Sequence, residues 1–314
     1  MERKEKGDMK KVLVVGSLNM DMVLSVDHHP VPGETIIGDG ITYHPGGKGA
    51  NQAYAVGKLG GDVRIIGCVG WDNNGMILTE NLAQAGVDTT AINRMPEAPT
   101  GMAIIDVDKK GDNSIIVISG ANACLTPDLL RKQKASVEWS DFIMTQLETP
   151  IDTVLELARM AKKADKCMIL DPSPARADLP DELCPLIDIM KPNEKELSIL
   201  TGMPTETDEE IKAAADALLE KGVSKVVVTL GARGAMLADG NEKLFFEAKP
   251  VVPVDTTAAG AAFTAAMVNG LAQEMGMIQA IRMANGVASI VVTRHGAQAS
   301  IPDRDEIDDL IWNY

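Results

Sequence analysis

The densest group of residues able to do chemistry is Pro45-Gly46-Gly47-Lys48-Gly49-Ala50-Asn51-Gln52-Ala53. Glycines at 46, 47 and 49 let a backbone approach a ligand closely, and the helical pattern that follows puts free N–H groups at its start. Glycine follows the lysine, so this is not a phosphate loop of the G-x-x-x-x-G-K-[ST] type. The Asn51 amide both donates and accepts, which suits sugar hydroxyls. The plainer alternative is a tight turn carrying an exposed lysine. A second group, Gly16-Ser17-Leu18-Asn19-Met20-Asp21, follows the first aliphatic run. The carboxyl end of a strand in an open sheet is where ligands collect. Asn19 and Asp21 face the same way in extended chain and could grip a vicinal diol, unless they form only an Asx turn. The third group is Val254–Phe263, VDTTAAGAAF. Small residues opening a helix leave N–H groups facing an anion such as a transferring phosphoryl group. Its alternative is a closely packed helix start capped by Asp255 or a threonine.

Two weaker signals are Thr229–Gly234 (TLGARG), a glycine-rich turn after a strand, and Lys191–Glu196 (KPNEKE), where Glu194 and Glu196 complement a helix dipole. The four histidines (His28, His29, His44, His295) lack metal-ligand spacing, so no zinc site is expected. Cys68, Cys124, Cys167 and Cys184 form no C-x-x-C pair and read as free buried thiols.

These groups need a frame to position them. Val12–Val15, Val63–Ile66, Phe142–Thr145, Met168–Leu170, Ile187–Met190 and Val226–Thr229 are short aliphatic runs, expected as strands of a parallel sheet buried on both faces. Helical spacing lies between them at Asn74–Ala85, Ile151–Lys163, Asn193–Thr201 and Asp208–Lys221, the last closed by Gly222. Strand–helix alternation implies a doubly wound α/β sheet. Gly260–Glu274 and Met277–Val292 are Ala-rich helices with no strand between them. Met20–Tyr43 and Thr100–Ser119 break the pattern; both alternate and carry turn residues, and they predict a small second sheet covering one edge of the main one.

The 314 residues suffice for one large domain, expected over 1–314 with a charged tail at 1–10. Forty-five acidic against thirty basic side chains leave a net charge of −15, which argues against nucleic acid or an anionic membrane as partner. No run approaches the ~20 apolar residues of a membrane span, and no signal segment is expected, so the chain reads as cytoplasmic. Aromatics are only 3% of the chain, so its core must be aliphatic.

Together these pieces resemble the ribokinase branch of the PfkB carbohydrate kinase family. The motifs run in family order over nearly the whole chain: GSLNMD (Gly16–Asp21), PVPGET (Pro30–Thr35), GGKGANQA (Gly46–Ala53), QLE (Gln146–Glu148), PNEKE (Pro192–Glu196), TLGARG (Thr229–Gly234), DTTAAG (Asp255–Gly260) and RHGAQASIP (Arg294–Pro302). The resemblance implies a ribokinase-like three-layer sandwich around a mainly parallel sheet, with a β lid from about 20–43 and 100–119 that also joins a homodimer. It implies the reaction ATP + D-ribose → ADP + ribose 5-phosphate, with Mg²⁺ on the nucleotide and K⁺ as activator. By the same carry-over, Asn19, Asp21, Gly47, Lys48, Asn51 and Glu148 line the sugar pocket. Asn193, Thr229, Gly231, Gly234 and Asn285 lie along the nucleotide, and Glu196 organises Mg²⁺ through water. Ala258, Ala259 and Gly260 form the anion-binding turn, while Asp255, Thr257, Val291, Arg294, Gly296 and Ser300 match the potassium loop.

One position departs from the family pattern. Where D-T-[TI]-[GA]-A-G-D ends in the base that faces the sugar hydroxyl, this chain has Ala261. Alanine accepts no proton, so impaired turnover is expected. A site otherwise complete reads as a substitution that traps ligands, with a natural pseudokinase, in effect a sugar-binding protein, as the alternative. A kinase for deoxyribose, a nucleoside or another furanose is the competing enzyme reading. A Rossmann dehydrogenase is disfavoured, because Gly16-Ser17-Leu18-Asn19 lacks the G-x-G-x-x-G turn.

Overall fold

The computed structural model describes residues 9–311, so most of the expected 1–10 tail lies outside the described residues. In chain order the strands are β1 (Lys11–Val15), β2 (Asn19–Ser25), β3 (Gly40–Gly46), β4 (Asp62–Gly70), β5 (Ile92–Met95), β6 (Gly101–Val107), β7 (Asn113–Ile118), β8 (Phe142–Thr145), β9 (Cys167–Leu170), β10 (Ile189–Met190), β11 (Lys225–Thr229), β12 (Ala235–Ala238) and β13 (Lys243–Phe246). The α-helices are α1 (Lys48–Lys58), α2 (Asn73–Gln84), α3 (Pro127–Lys132), α4 (Lys134–Trp139), α5 (Ile151–Lys163), α6 (Glu194–Thr201), α7 (Asp208–Glu220), α8 (Ala259–Ala272), α9 (Met277–Val291) and α10 (Arg304–Ile311).

Nine strands form the main sheet in the order β13-β12-β11-β10-β9-β8-β1-β4-β5. All its pairings from β11 to β5 are parallel. The expected alternation explains why. In β1, Val12 and Val14 pack into one apolar cluster with α1 and α8, while Leu13 and Val15 pack into another with α5 and α7. Burial on both faces demands a continuous aliphatic run, and three layers result. Capping boxes start α6 (Asn193 with Glu196) and α7 (Thr207 with Glu210), fixing where the chain leaves the preceding loops. Gly222, at φ +103°, stops α7 as expected.

Three expectations need correction. β12 and β13 pair antiparallel on one edge, a hairpin that the parallel pattern did not include. The run at Ile187–Met190 contributes only Ile189–Met190 to the sheet, because the Cys184–Leu186 turn runs up to Ile187. Neither Asp255 nor a threonine caps α8; its N-cap is Ala258, in the left-handed region at φ +61°, with no side-chain cap.

The second sheet has the order β3-β2-β6-β7, with β2 and β6 parallel and the outer pairs antiparallel. It comes from the two segments that broke the helix–strand alternation, although residues 26–39 within the first are irregular rather than extended strand. This sheet covers the edge of the body where the functional groups converge.

Candidate active site

One cavity of about 350 Å³ gathers residues from the carboxyl ends of the parallel strands, the start of α1, the start of α8 and the inner face of the small sheet. Glu148 follows β8, Asp171 follows β9, Lys191 and Asn193 follow β10, and Thr229 ends β11. That is the expected place for a ligand in an open α/β sheet. Ala103, Ile105, Ile115 and Val117 of the small sheet supply an apolar wall.

The predicted sugar group assembles at one end: Asn19, Asp21, Gly47, Lys48, Asn51 and Glu148 all line the cavity. Glycine is required where α1 begins. Gly47 has φ +89°, and a Cβ there would stand 2.7 Å from the Asn19 backbone nitrogen. A Cβ on Gly46 would stand 2.0 Å from Asp21 Oδ2, so this backbone closes directly onto the carboxylate. Lys48 Nζ lies 4.0 Å from Glu148 Oε1, and Glu148 Oε2 accepts from Ser17 Oγ and the Lys48 N–H at 2.5 and 3.1 Å. The lysine therefore faces the site rather than standing on an exposed turn. Burial pushes the Asp21 carboxyl up to about 7, the Glu148 charge adds to the rise, and Lys48 opposes it.

Two asparagines have their orientation set by partners that the local sequence did not reveal. Asn122 Nδ2 donates to Asn19 Oδ1 at 2.8 Å, while its own Oδ1 accepts from the Leu18 N–H. Gln298 Nε2 donates to Asn51 Oδ1 at 3.0 Å, and Gln298 Oε1 accepts from Asn81 Nδ2. Each of these carbonyl oxygens already accepts one protein hydrogen bond, so the NH₂ groups of Asn19 and Asn51 are the donors these residues can offer in the cavity. Donors from Asn19, Asn51 and Lys48 face acceptors from Asp21 and Glu148, a pattern complementary to a ring of hydroxyls, each of which donates and accepts.

At the other end Thr256, Thr257, Ala258, Gly260 and Ala261 line the cavity at the start of α8; Ala259 begins the helix. A left-handed alanine costs about 1–2 kcal/mol, and backbone strain of this kind gathers at ligand-binding turns. Asn193, Glu196 and Thr229 also line the cavity, and an isolated bridge between Asn193 and Thr229 joins two of the predicted nucleotide residues. Gly231, Gly234 and Asn285 do not line it. Gly234 lies against β13, where a Cβ would stand 1.9 Å from the Phe246 carbonyl oxygen, and Asn285 Nδ2 donates to that same oxygen at 3.1 Å. Both positions brace the β12–β13 edge.

Of the predicted potassium residues, only Thr257 reaches the cavity. Asp255 Oδ1 accepts from the Thr257 N–H and Oδ2 from the Gly296 N–H, at 2.9 Å each. Burial works to raise the Asp255 carboxyl, but these bonds outweigh it and hold it below the usual range. Val292 O accepts from the N–H groups of Val254 and Asp255, so the 254–257 and 291–296 segments are tied together. Val291 O accepts from the Arg294 N–H, Ser300 Oγ donates to Ala297 O, and the Arg294 side chain turns out to Glu306. A corner of carboxylate and carbonyl oxygens fits a hard monovalent cation by donor type.

Sequence reasoning missed Asn122, Gln298 and Asp171, the partner of Lys191. Asp171 directly follows a buried strand, a position that marks ligand sites in such sheets, so a signal was available. All four cysteines are free, though only Cys68 and Cys184 are fully buried. Among the described residues no group of three or more His, Cys, Asp and Glu is arranged to hold a metal ion, and no helix is long and apolar enough to cross a membrane.

Comparison with known proteins agrees with this geometry. The model of the pfkB family of carbohydrate kinases matches residues 9–304. A ribokinase of Haemophilus influenzae is 42% identical over 299 residues, covering 95% of this chain and 97% of its own. A deoxyribokinase of Salmonella typhi is 33% identical over 300 residues, covering 96% and 98%. The structure of an Arabidopsis thaliana ribokinase complexed with ribose and ATP superposes with a TM-score of 0.92 at 35% identity, covering 98% of this chain and all of that one.

Proposed function

The chain belongs to the pfkB family of carbohydrate kinases, and from that premise we propose that its site takes D-ribose and ATP, for transfer of a phosphoryl group to the 5-hydroxyl. One observation carries the reading. A clamp of alternating donors and acceptors (Asn19, Asp21, Lys48, Asn51, Glu148) and the N-terminus of a 14-residue helix open into one cavity. The clamp suits a polyol, and the helix start suits an anion. Ribose ranks above deoxyribose because the ribokinase of Haemophilus influenzae is more similar to this chain than the deoxyribokinase of Salmonella typhi, at 42% against 33% identity.

The residues supply orientation and charge. The sugar end fixes the ring, the apolar wall excludes water, and the N–H groups of α8 face the phosphoryl group. Ala261, third in α8, supplies no proton acceptor, so this chain should bind both substrates and turn over slowly. Mg²⁺ would neutralise phosphate charge when it arrives with the nucleotide. Glu196 fits a water-mediated contact to it, since its Oε2 accepts the Asn193 N–H in the capping box while Oε1 has no bond within that box. The Asp255–Thr257 and Val291–Ser300 segments would hold K⁺.

The small sheet would serve as lid and as dimer interface. Ile115 and Val117 line the cavity, whereas Ile116 and Ile118 alternate onto the opposite face, 62% and 45% exposed. With Ile41 and Tyr43, these residues make an exposed apolar face on the side of the sheet away from the cavity, the kind of surface that marks an interaction site. Use of ATP and four free thiols fit the cytoplasm.

An ADP-release assay over ribose, deoxyribose, fructose and nucleosides, run on this chain and on Ala261→Asp, tests the reading. Ribose-dependent release by Ala261→Asp supports it; release on a nucleoside alone would move the substrate class. A protein that binds ribose and ATP yet stays inert after Ala261→Asp would be a sugar-binding pseudokinase.

A further inference from the structure

Beneath the point where the sugar and phosphate ends meet lies a buried ion pair, Asp171 (4% exposed) and Lys191 (3% exposed), with Oδ1–Nζ at 3.1 Å. Both residues leave the carboxyl ends of paired strands, β9 and β10. The carboxylate is held from two further elements: Asp171 Oδ2 accepts from Gln52 Nε2 of α1 at 2.8 Å, and Thr264 Oγ1 of α8 lies 3.2 Å from it, its one proton shared with Gly260 O at 2.9 Å. Gln52 is itself held by Gln146 Nε2. Oδ1, in contrast, receives no aligned hydrogen bond from any described residue. The Lys191 ammonium contacts it as a charge, which leaves its directional donor capacity unspent.

Stability does not account for such a pair. Removing two charges from water costs several kcal/mol per ion, and replacing a buried pair by apolar residues is often neutral or favourable. The ammonium also sits in a telling place. It lines the cavity, and Nζ is 3.5 Å from the point where a Cβ on Gly260 would stand, at the first turn of α8 and one residue from position 261. Four carboxylates, Asp21, Glu148, Asp171 and Glu196, line the same cavity. Against them stand two cations, and Lys48 is committed to Glu148 at the sugar end. A polyphosphate entering this acidic cavity would meet Lys191 as the positive charge nearest the α8 amides.

We propose that Lys191 is a catalytic residue that contacts the transferring phosphoryl group, and that Asp171 aims it; the inference rests on the kinase reading above. In the transfer, the bond from the γ-phosphorus to the β–γ bridging oxygen breaks and its electron pair stays on ADP. A bond forms from the sugar oxygen to phosphorus, and the hydroxyl proton leaves to a carboxylate or to water. Lys191 takes no part in the proton transfer and stabilises the charge on the equatorial oxygens.

Lys191→Met alone would bury the Asp171 charge without a partner, so the test pairs the changes. Binding of MgATP and MgADP is measured by calorimetry on the chain itself, on Asp171→Asn, and on Asp171→Asn/Lys191→Met. A charge-assisted contact to the terminal phosphate predicts that the double variant loses ATP affinity by about tenfold or more, with ADP affinity changed by less than about threefold. Asp171→Asn, which keeps an acceptor and the ammonium, should retain the ATP-over-ADP preference. In the Ala261→Asp background the double change should lower kcat by about 10²-fold with little change in the KM for ribose. Equal losses for ATP and ADP, or identical behaviour of the single and double variants, would mean a purely structural pair and overturn the proposal. If the unaltered chain binds neither nucleotide, and Ala261→Asp phosphorylates no sugar, the kinase reading falls and takes this one with it.

Discussion

Replacing Ala261 by Asp should convert a slow or silent protein into a fast kinase, and the structure sets both the size and the form of the change. Position 261 lines the cavity in the first turn of α8, next to Gly260 and hence to the Lys191 ammonium. A carboxylate there would open into the same cavity as Asn19, Asp21 and Glu148. General-base catalysis is worth about 10²–10⁴-fold, or about 2.7–5.5 kcal/mol of barrier at about 1.4 kcal/mol per factor of ten. The fold should be nearly indifferent. Aspartate is a poorer helix former than alanine by up to about 0.7 kcal/mol, but the first turn of α8 carries no acidic residue, and a negative charge there recovers about 0.3–1 kcal/mol from the helix dipole. The melting temperature and the dissociation constants for ribose and ATP should therefore move little while kcat rises at least 10²-fold. Steady-state ADP release, with ribose and ATP each varied, separates kcat from KM. Fast turnover by the unaltered chain would refute the assignment of the base to this position. An inert Ala261→Asp variant that still binds both ligands would refute the view that the rest of the machinery is competent.

Four further outcomes follow from named residues. Asp21 titrates near 7 in the folded protein because of burial and Glu148, so ribose binding through its ionised form should tighten as pH rises through about 7 and release a proton at about pH 6.5. Calorimetry in buffers of different ionisation heat would detect the proton, Asp21→Asn should abolish it, and its absence in the unaltered chain would remove Asp21 from the clamp. The sign for stability is opposite: the folded state binds the extra proton between about 4 and 7, so this group's contribution falls as pH rises across that window, which urea unfolding at several pH values would show. Gln298→Leu should free Asn51 Oδ1 and cost ribose binding about 1 kcal/mol, roughly fivefold, with ATP affinity unchanged; loss of both ligands together would point to a general collapse of the 294–302 loop. Ile116→Asp/Ile118→Asp should give monomers in sedimentation velocity where the unaltered chain gives dimers, and an unaffected dimer would place the interface elsewhere.

Much of the frame was legible locally. A strand buried on both faces must be aliphatic at every position, which is why Val12–Val15 and Phe142–Thr145 announced themselves as sheet and agree with β1 and β8 to within a residue. The segments of the second sheet stood out for the converse reason, being alternating and interrupted by turns, and Asn19 and Asp21 share a face because a strand has period two. The strand β12, Ala-Met-Leu-Ala, carries no β-branched residue and takes its conformation from the ladders to β11 and β13, so local propensity could not announce it. Nor could residue type tell which end of the Asn51 amide is already bonded; that depends on Gln298, 247 residues away. The rise of the Asp21 carboxyl and the pairing of Lys191 with Asp171 have the same origin. Burial and charge proximity are properties of residues gathered from different strands, and they exist only once the sheet has brought those strands' ends together. The sequence by itself therefore determined the layers, the second sheet and most of the residues that gather at the cavity. Only the tertiary structure decided which amide oxygens are already bonded, which carboxyl burial raises and where the buried cation lies.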